Sequence, residues 1–340
     1  MSKQINILDG FSGIGGFSLA IQRAGFKINK HYASELDKYA QMIYRRNFNG
    51  SIQLGDITKV GNDLGKIDIA TFGFPCQAFS IAGKRRGFSD TRGTLFFEIE
   101  RLARFYKPSY LVLENVKGLF SHEGGNTFRT IMDSLRGLDY TIQALLLNTK
   151  DFGIPQNRER IFFICTARGK RQPEISSIRE RKTEIAFSAN CIDANYYKGI
   201  DNHRHKDGEG FREVKSGLCP TILARAREDG SGQPIISIPV LSPDRVEKRQ
   251  NGRRFKENDE PAFTLTAQDR HGIYNGEIIR RLTPVECERL QDYQDGWTKY
   301  GIDEAGKEVE ISDTQRYKTL GNSISVIVAQ KIFKSIRAVI

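Results

Sequence analysis

Short apolar runs alternate with longer amphipathic stretches through the first half of the chain, and this alternation limits the fold more than any other feature. It is typical of a parallel sheet whose strands are joined by crossover helices, so it predicts an α/β fold. The predicted strands are 5–8, 30–34, 51–54, 67–72, 110–113 and 160–165, and the predicted helices are 16–24, 38–47, 94–106 and 126–138.

The second half has a different character, which indicates a second domain. After Thr166 the charge density rises, glycine and proline recur, and helical periodicity is absent until residues 283–292. The last segment regains it, with apolar residues at 324, 327, 328 and 332 that predict a helix packed on the core. A chain of 340 residues has room for both units, and we divide it into domains 1–167 and 168–299 and a returning segment, 300–340.

Composition and cysteine spacing exclude several classes of protein. Hydrophobic residues make up 39% of the chain, enough for a packed interior. No apolar run reaches the roughly 20 residues needed to cross a bilayer, and the N-terminus lacks a cleavable signal pattern, so we expect a cytoplasmic protein. The five cysteines are too scattered for a disulfide framework or a CxxC metal site, so we expect no metal.

The charge of the chain bears on its partner. A net charge of +11 favours a polyanion modestly, because basic chains are common. The densest positive point is the run Lys84, Arg85 and Arg86 between two glycines. Taken alone, that run is equally well explained as a solvated loop.

Polar residues recur just beyond the predicted strands. The first strand leads into the glycine-rich turn "DGFSGIGG" and then a helix, a pattern that fits nucleotide cofactors including NAD and S-adenosylmethionine. Because the carboxyl ends of parallel strands meet at one edge, where such folds bind ligands, these side chains are expected to lie together. Glu35 follows the second strand and Asp56 the third, and for either residue alone a helix N-cap is an equally good explanation. The residues that come just beyond a predicted strand are Asp9, Glu35, Asp56, Cys76 and Glu114.

Four residues suggest chemistry at that edge. Cys76 follows a proline in "GFPCQAFS", and its local sequence is equally compatible with an inert thiol and a reactive one. Glu114 leaves an apolar strand in "YLVLENV", where a desolvated carboxyl would have a raised pKa, or a capping residue would be found. Arg158 and Arg160 in "QNRERIFF" are two residues apart, so they could share one face and one ligand, or be solvated.

Taken together and in this order, these motifs resemble the C5-cytosine-specific DNA methyltransferase family of bacteria and phages. "DGFSGIGG" resembles the first cofactor motif, "GFPCQAFS" the nucleophile loop, "ENV" the glutamate motif and "QNRERIFF" the arginine motif. "RRLTPVECERLQDYQDGW" and "YKTLGNSISV" match the last two blocks, and no DPPY-like stretch is present. The resemblance implies a Rossmann-like class I methyltransferase fold, with a smaller, irregular, mostly β target-recognition domain in residues 168–299.

The resemblance also implies a mechanism and partners. Cys76 would add to carbon 6 of a cytosine flipped out of double-stranded DNA, and Glu114 would act at nitrogen 3. Arg160 would hold the cytosine carbonyl, and Arg158 would support the loop or a phosphate. S-adenosylmethionine would donate the methyl group. The enzyme is expected to be a monomer that modifies DNA for a restriction-modification system or a phage, without contacting a cognate endonuclease.

The family's motifs further imply contact residues, position by position. The mobile segment behind the nucleophile would place Ser80, Lys84, Arg85 and Arg86 near the DNA backbone. In the recognition region the suitable base readers are Arg225, Arg227, Gln268 and Arg270, for which phosphate contacts are an equally sound alternative. The cofactor would contact Phe11, Gly13, Gly15, Glu35, Asp56, Pro75, Leu95 and Asn322.

Three departures from the family pattern and two competing functions complete this interpretation. Gly10 stands where the family has a larger apolar residue, Leu36 where many members have an aromatic residue or isoleucine, and Asp292 where glycine is usual. An RNA cytosine methyltransferase of the same fold has the same catalytic motifs. An NAD-binding dehydrogenase would use the glycine turn but would leave Cys76 and Glu114 unexplained.

Overall fold

The computed structural model describes residues 4–75, 95–175, 238–243, 253–257, 260–274 and 279–340. The strands are β1 Gln4–Gly10, β2 Lys27–Ser34, β3 Ile52–Gln53, β4 Ile69–Gly73, β5 Tyr110–Val116, β6 Tyr140–Asn148, β7 Glu159–Ala167, β8 Ile238–Leu241, β9 His271–Tyr274, β10 Ile279–Arg281, β11 Tyr300–Ile302 and β12 Glu308–Glu310. The helices are α1 Gly16–Arg23, α2 Lys38–Asn47, α3 Leu95–Tyr106, α4 Asn126–Arg136, α5 Pro284–Leu290, α6 Asp313–Asn322 and α7 Val326–Arg337.

A seven-stranded sheet with the order β3-β2-β1-β4-β5-β7-β6 forms the centre of the molecule. Strands β1 to β5 are parallel, whereas β7 runs antiparallel to both β5 and β6. The predicted α/β class with a Rossmann-like, mostly parallel sheet is confirmed. The sequence pattern did not predict β6, which lies at the end of the sheet and pairs only with β7 among the described strands.

Alternate residues of each central strand feed two separate cores. Ile5 and Ile7 of β1 pack on one face with α1, α2 and α7, whereas Leu8 packs on the other face with α3 and α4. This period of two is the expected consequence of strand geometry in a sheet that is covered on both sides. The two faces bury the apolar positions that made the strands recognisable in the sequence.

The end of the chain packs against its beginning. Helix α7 contacts α1, with the rings of Phe17 and Phe333 6.2 Å apart in an edge arrangement. The apolar spacing predicted one helical segment here, but the structure has two, because Ser323 and Ser325 are extended and Ile324 lies between the helices. At the break between α6 and α7, Ile324 packs against the start of α1, where a Cβ on Gly16 would lie 2.6 Å from Ile324 Cγ1.

Two small antiparallel sheets accompany the central one. Strands β8, β9 and β10 form the first, with β9 in the middle. Strands β11 and β12 form a hairpin that packs on α2. The described part of residues 168–299 thus contains strands β8 to β10 and helix α5, and the boundaries at 167 and 299 stay predictions.

Candidate active site at the carboxyl edge of the sheet

The strand order reverses between β1 and β4, and open α/β sheets bind ligands at the carboxyl ends of the strands beside such a point. Gly10 of β1 pairs with Phe72 of β4, and Gly73 pairs with Glu114 of β5, so these strand ends lie side by side. Asp9 departs from the expected position. It lies inside β1 and is fully buried, so its carboxylate faces the core instead of the edge.

The glycine-rich turn after β1 has the conformation that its residues predict. Gly13 and Gly15 have φ of 54° and 89°, in the left-handed region that favours glycine, and Phe11 also has a positive φ of 53°. A Cβ at Gly15 would lie 2.1 Å from the ring of Phe48, so close packing also requires glycine there. At Gly13 the same test meets no atom of the described residues within 4 Å, so this part of the turn faces open space.

Glu35 joins the glycine turn to the end of β2. Its Oε2 accepts a hydrogen bond from the backbone amide of Gly13 at 2.8 Å. Its Oε1 accepts from the amides of Leu36 and Asp37, each at 2.8 Å. A carboxylate has about four acceptor positions, so the three amide donors of the described residues leave room for a ligand hydroxyl. The neighbouring Leu36 side chain is 68% exposed, which offers an apolar surface at the same edge.

Asp56 acts as a helix cap. Its side chain accepts hydrogen bonds from the amide and the hydroxyl of Thr58, at 3.0 and 2.8 Å, and begins the short 3₁₀ turn Ile57–Lys59. These bonds hold the pKa of Asp56 below its usual value. Capping, the alternative interpretation of this carboxylate, is therefore present in the structure, and a contact with a ligand stays a proposal.

Glu114 and Arg160 form the ion pair at the centre of this edge. Arg160 Nε lies 3.0 Å from Glu114 Oε1, and the two side chains are 16% and 10% exposed. Burial raises the pKa of Glu114, and the positive charges of Arg160 and Arg158 oppose that rise. Glu114 is part of β5 and does not cap a helix. A carboxyl group that stays protonated to higher pH than usual can donate a hydrogen bond to a ligand.

Asn115 fastens the backbone that leads to Cys76. Its Nδ2 donates to the carbonyl oxygen of Phe74 at 2.9 Å, two residues before the cysteine. The Cβ position of Gly73 lies 3.9 Å from Glu114 Oε2, so the end of β4 also passes close to the carboxyl group. Cys76 itself lies outside the described residues. The sequence motif "ENV" contained Asn115, but its partner 41 residues earlier could not be inferred from local sequence.

The structure corrects the expectation that Arg158 shares a ligand with Arg160. Arg158 precedes β7, so the alternation of a strand does not apply to it, and it is 2% exposed. Its Nη1 donates to the carbonyl of Leu265 at 2.8 Å, and its Nη2 donates to the carbonyls of Gly321, at 3.4 Å, and Ser323. Burial and the nearby Arg160 lower its pKa to about 9. Arg158 therefore connects the start of β7 to the backbone at Leu265, Gly321 and Ser323, and it is not exposed at the open edge.

Some of the other residues that are expected to contact the cofactor or DNA lie in the described part of the chain, and the rest lie outside it. Asn322 is exposed at the end of α6, Leu95 begins α3, and Pro75 is exposed at the end of its described segment. Gln268 and Arg270 are exposed on a turn that precedes β9. Outside the described residues lie Ser80, Lys84, Arg85, Arg86, Arg225 and Arg227.

A buried polar network that the sequence did not predict lies beneath the glycine turn. Ser18 Oγ is 2.7 Å from Asp9 Oδ2, 2.9 Å from His31 Nε2 and 2.6 Å from the hydroxyl of Tyr44. Thr71 donates to the other oxygen of Asp9 at 2.8 Å. Burial raises the pKa of Asp9 to about 7 and lowers that of His31 to about 4. Both groups are therefore neutral between these values, as a buried site favours.

The described residues contain neither a metal site nor a membrane-spanning helix. Within the described ranges, no group of three or more histidine, cysteine, aspartate or glutamate side chains could hold a metal ion. In the same part of the chain, no helix combines the length and the apolar character that crossing a bilayer needs.

Comparison with known proteins places this chain in a family. The family profile of C-5 cytosine-specific DNA methylases matches residues 5–338. The type II methyltransferase M.HpaII of Haemophilus parainfluenzae is 36% identical, over 99% of this chain and 90% of its own. The orphan methyltransferase M.SPRI of Bacillus phage SPR is 32% identical, over 98% of this chain and 97% of its own. The Dnmt2 methyltransferase of S. pombe has a similar fold, with a TM-score of 0.63 at 19% identity over 97% of each chain.

Proposed function

The chain belongs to the C-5 cytosine-specific DNA methylase family, and from this membership we propose that it methylates carbon 5 of a flipped-out cytosine within a specific duplex DNA sequence. The observation that carries the proposal is the buried pair of Glu114 and Arg160, held beside the strand end that leads to Cys76. A carboxyl group with a raised pKa beside a fixed cation matches the ring nitrogen and the carbonyl of cytosine, and in the sequence Cys76 follows the end of β4 by three residues.

The reaction begins with Cys76. Its thiolate forms a bond to carbon 6 of the cytosine, and the electron pair displaced from the ring moves toward carbon 5 and nitrogen 3. An ordinary thiol is only a few per cent ionised at neutral pH, so the loop or a base must favour the thiolate. The hydrogen bond from Asn115 to the carbonyl of Phe74 fixes the backbone two residues before Cys76.

Glu114 and Arg160 stabilise the electron density that the thiolate pushes into the ring. In its protonated form the carboxyl of Glu114 donates to nitrogen 3, and the Arg160 guanidinium holds the cytosine carbonyl. Arg160 also orients the carboxyl group, because its Nε lies 3.0 Å from Glu114 Oε1. Glu114 Oε2 is therefore the oxygen that is left for the cytosine. After carbon 5 has accepted the methyl group it loses its proton to water, and the electron pair of that C–H bond restores the double bond between carbons 5 and 6. The bond from carbon 6 to sulfur breaks at the same time and returns its electron pair to Cys76.

The residues at the edge of β1 and β2 fit S-adenosylmethionine. When bound, this cofactor supplies an electrophilic methyl group on a sulfonium. Glu35 has acceptor capacity for ribose hydroxyls, the exposed Leu36 offers an apolar surface for adenine, and Gly13 faces open space. The other proposed contacts are Phe11, Gly15, Asp56, Pro75, Leu95 and Asn322.

Double-stranded DNA is the proposed substrate. A stacked base cannot reach the buried pair of Glu114 and Arg160, so the target nucleotide leaves the helix, at a cost of a few kcal/mol. The net charge of +11 provides attraction to phosphates. In the undescribed segment after Cys76, Ser80, Lys84, Arg85 and Arg86 are proposed to contact the backbone, and Arg225 and Arg227 to contact bases or phosphates.

Transfer of tritiated methyl groups from S-adenosylmethionine tests the function. We expect labelling of double-stranded DNA and none of total RNA, and labelling confined to RNA would overturn the proposal. Cys76→Ala is expected to abolish transfer while cofactor and DNA binding remain. The matched control is Cys165→Ala, because Cys165 is fully buried in β7 and burial raises the pKa of its thiol. Unchanged 5-methylcytosine in the Cys76→Ala variant would contradict the covalent mechanism.

A further inference from the structure

The segment before β7 binds the chain that precedes β9. The amide of Asn157 donates to the carbonyl of Ala262 at 2.9 Å, and the amide of Ala262 donates to the carbonyl of Pro155 at 2.8 Å. Gln156 and Ala262 form an isolated parallel bridge. Residues of the catalytic sheet and of the recognition region, more than 100 positions apart, therefore run side by side at this point.

Two buried side chains form hydrogen bonds with the backbone of Leu265, which directly precedes the turn of residues 266–270. Gln156 is fully buried, and its Oε1 accepts from the amide of Leu265 at 3.4 Å. Arg158 Nη1 donates to the carbonyl of the same residue at 2.8 Å. The other Gln156 group, Nε2, donates to the carbonyl of Leu290 at 2.8 Å. The backbone of Leu265 is thus fixed on both sides by residues that lie within four positions of Arg160.

The turn that follows, residues 266–270, is closed and backed by the C-terminal segment. Thr266 Oγ1 accepts from the amide of Asp269 and donates to its carboxylate, each at 2.9 Å. A Cβ at Gly321 would lie 2.2 Å from the backbone carbon of Thr266, so α6 packs directly behind the turn. Gln268 is exposed at its tip. We call residues 266–270 the recognition turn.

From these contacts we propose that Arg158 and Gln156 are positioning residues that fix the recognition turn relative to the pair of Glu114 and Arg160, and that Gln268 on this turn reads a base near the target cytosine. The inference rests on the proposed DNA substrate. Glutamine pairs with adenine through two hydrogen bonds, which require that its backbone be held in place. Because Arg158 and Arg160 are two residues apart, one piece of backbone sets both the reading position and the catalytic pair.

The chemistry of arginine makes this link testable. The planar guanidinium of Arg158 reaches the carbonyls of Leu265, Gly321 and Ser323 together, whereas a lysine ammonium is a compact charge on a flexible stem. Arg158→Lys therefore keeps the charge and frees the recognition turn. Arg337→Lys is the matched control, since Arg337 Nη1 donates to the carbonyl of Ala24 at 3.0 Å, far from this turn.

The experiment is bisulfite sequencing of DNA from cells that express the wild type, Arg158→Lys, Gln268→Ala or Arg337→Lys. We expect one methylated sequence for the wild type and for the control. Gln268→Ala and Arg158→Lys are expected to relax the same base position of that sequence. With the purified enzymes, the ratio of methylation rates at the cognate site and at a site changed in that base should fall by roughly tenfold or more in both variants.

Other outcomes separate this inference from the proposed function. If Arg158→Lys lowers methylation at every sequence by one factor and leaves the ratio unchanged, its role is structural only and the inference fails. Should that variant not fold, Thr266→Val opens the recognition turn without disturbing the buried arginine, and an unchanged ratio there also overturns the inference. A wild type that methylates no DNA would instead refute the proposed function.

Discussion

The ring of Phe72 in β4 fills the space that a side chain on Gly10 of β1 would need, since a Cβ at Gly10 would lie 2.3 Å from Phe72 Cδ1. The two residues are register partners in neighbouring strands, and Phe72 is fully buried. Gly10 is one of the positions at which the sequence departs from the family pattern. The volume missing from β1 is therefore supplied by the adjacent strand, directly beside the candidate active site.

Because the Phe72 ring occupies the space beside Gly10, substitutions at the two positions should have non-additive effects on the free energy of unfolding. Gly10→Leu should lower the free energy of unfolding by about 1–3 kcal/mol through overpacking, and Phe72→Ala by about 3–5 kcal/mol through a cavity. The double variant should lose clearly less than the sum, because the leucine enters the cavity. Urea unfolding of the four proteins gives the coupling. Additive losses would show that the ring and the glycine do not compete for the same space.

The buried carboxyl of Glu114 predicts a large kinetic effect. Glu114→Gln removes the group that can give a proton to nitrogen 3, and losses of about 10²–10⁴ in kcat are typical for such a group. Because burial raises the pKa of Glu114, the wild type should keep its protonated form to higher pH than an ordinary carboxyl. The alkaline fall of wild-type activity that this deprotonation causes should be absent from the variant. Equal kcat values for the two proteins would exclude this role, and unchanged cofactor binding serves as the control.

Asp9 and His31 should have opposite effects on the pH dependence of stability. The folded state holds a proton on Asp9 that the unfolded chain releases between pH 3.8 and about 7, so this group makes stability fall as pH rises, by up to about 4 kcal/mol. The unfolded chain binds a proton on His31 between about pH 4 and 6.5 that the folded state does not, so stability rises, by up to about 3 kcal/mol. In the wild type the two slopes largely cancel.

Single substitutions should reveal each slope. Asp9→Asn leaves His31, so its free energy of unfolding should increase from pH 4 to 6.5. His31→Gln leaves Asp9, so its free energy of unfolding should decrease from pH 4 to 7. Urea unfolding at four pH values in this range measures both, and the double variant should again show little dependence. If the two single variants shared the wild-type profile, the opposing titrations would be absent.

Replacing Asp292 by glycine should leave the free energy of unfolding unchanged or raise it slightly. Asp292 has a φ of 64°, and its carboxylate lies 2.9 Å from Arg23 Nη1 in a partly exposed pair. Asp292→Gly removes left-handed strain of about 1–2 kcal/mol and loses an ion pair worth about 0–1 kcal/mol. It should therefore be as stable as the wild type or more stable, whereas Asp292→Ala keeps the strain and should lose about 1 kcal/mol. Thermal unfolding ranks the three proteins, and an alanine variant more stable than the glycine variant would contradict the strain argument.

The sequence revealed those features that local pattern determines. Apolar runs located five parallel strands, and the acidic residues after them identified Glu35 and Glu114 at the correct edge, because the phase of a residue along a strand is visible in sequence. Strand β6 was missed because its middle is only half-buried, so the residues 142–146 show no clean alternation of apolar and polar side chains.

Long-range partners explain the other differences. The two-residue spacing groups Arg158 with Arg160, but the carbonyl acceptors of Arg158 lie 107 to 165 positions later in the chain. Likewise the position of Asp9 in the sequence groups it with the edge residues, although hydroxyl groups from α1, α2 and β4 surround its carboxylate. Which side chain will supply a buried hydrogen bond depends on packing, and no local pattern records it.

The acceptors of Arg158 also determine the order in which this protein can mature. Its guanidinium meets Leu265 only after the recognition region has been synthesised, and it meets Ser323 only when the chain has grown past α6. Until then the arginine has to remain hydrated, since a buried guanidinium without acceptors is costly. On the ribosome, the strands of the central sheet therefore emerge before the acceptors that Arg158 needs, and its buried contacts form only after residues 265 to 323 have been synthesised.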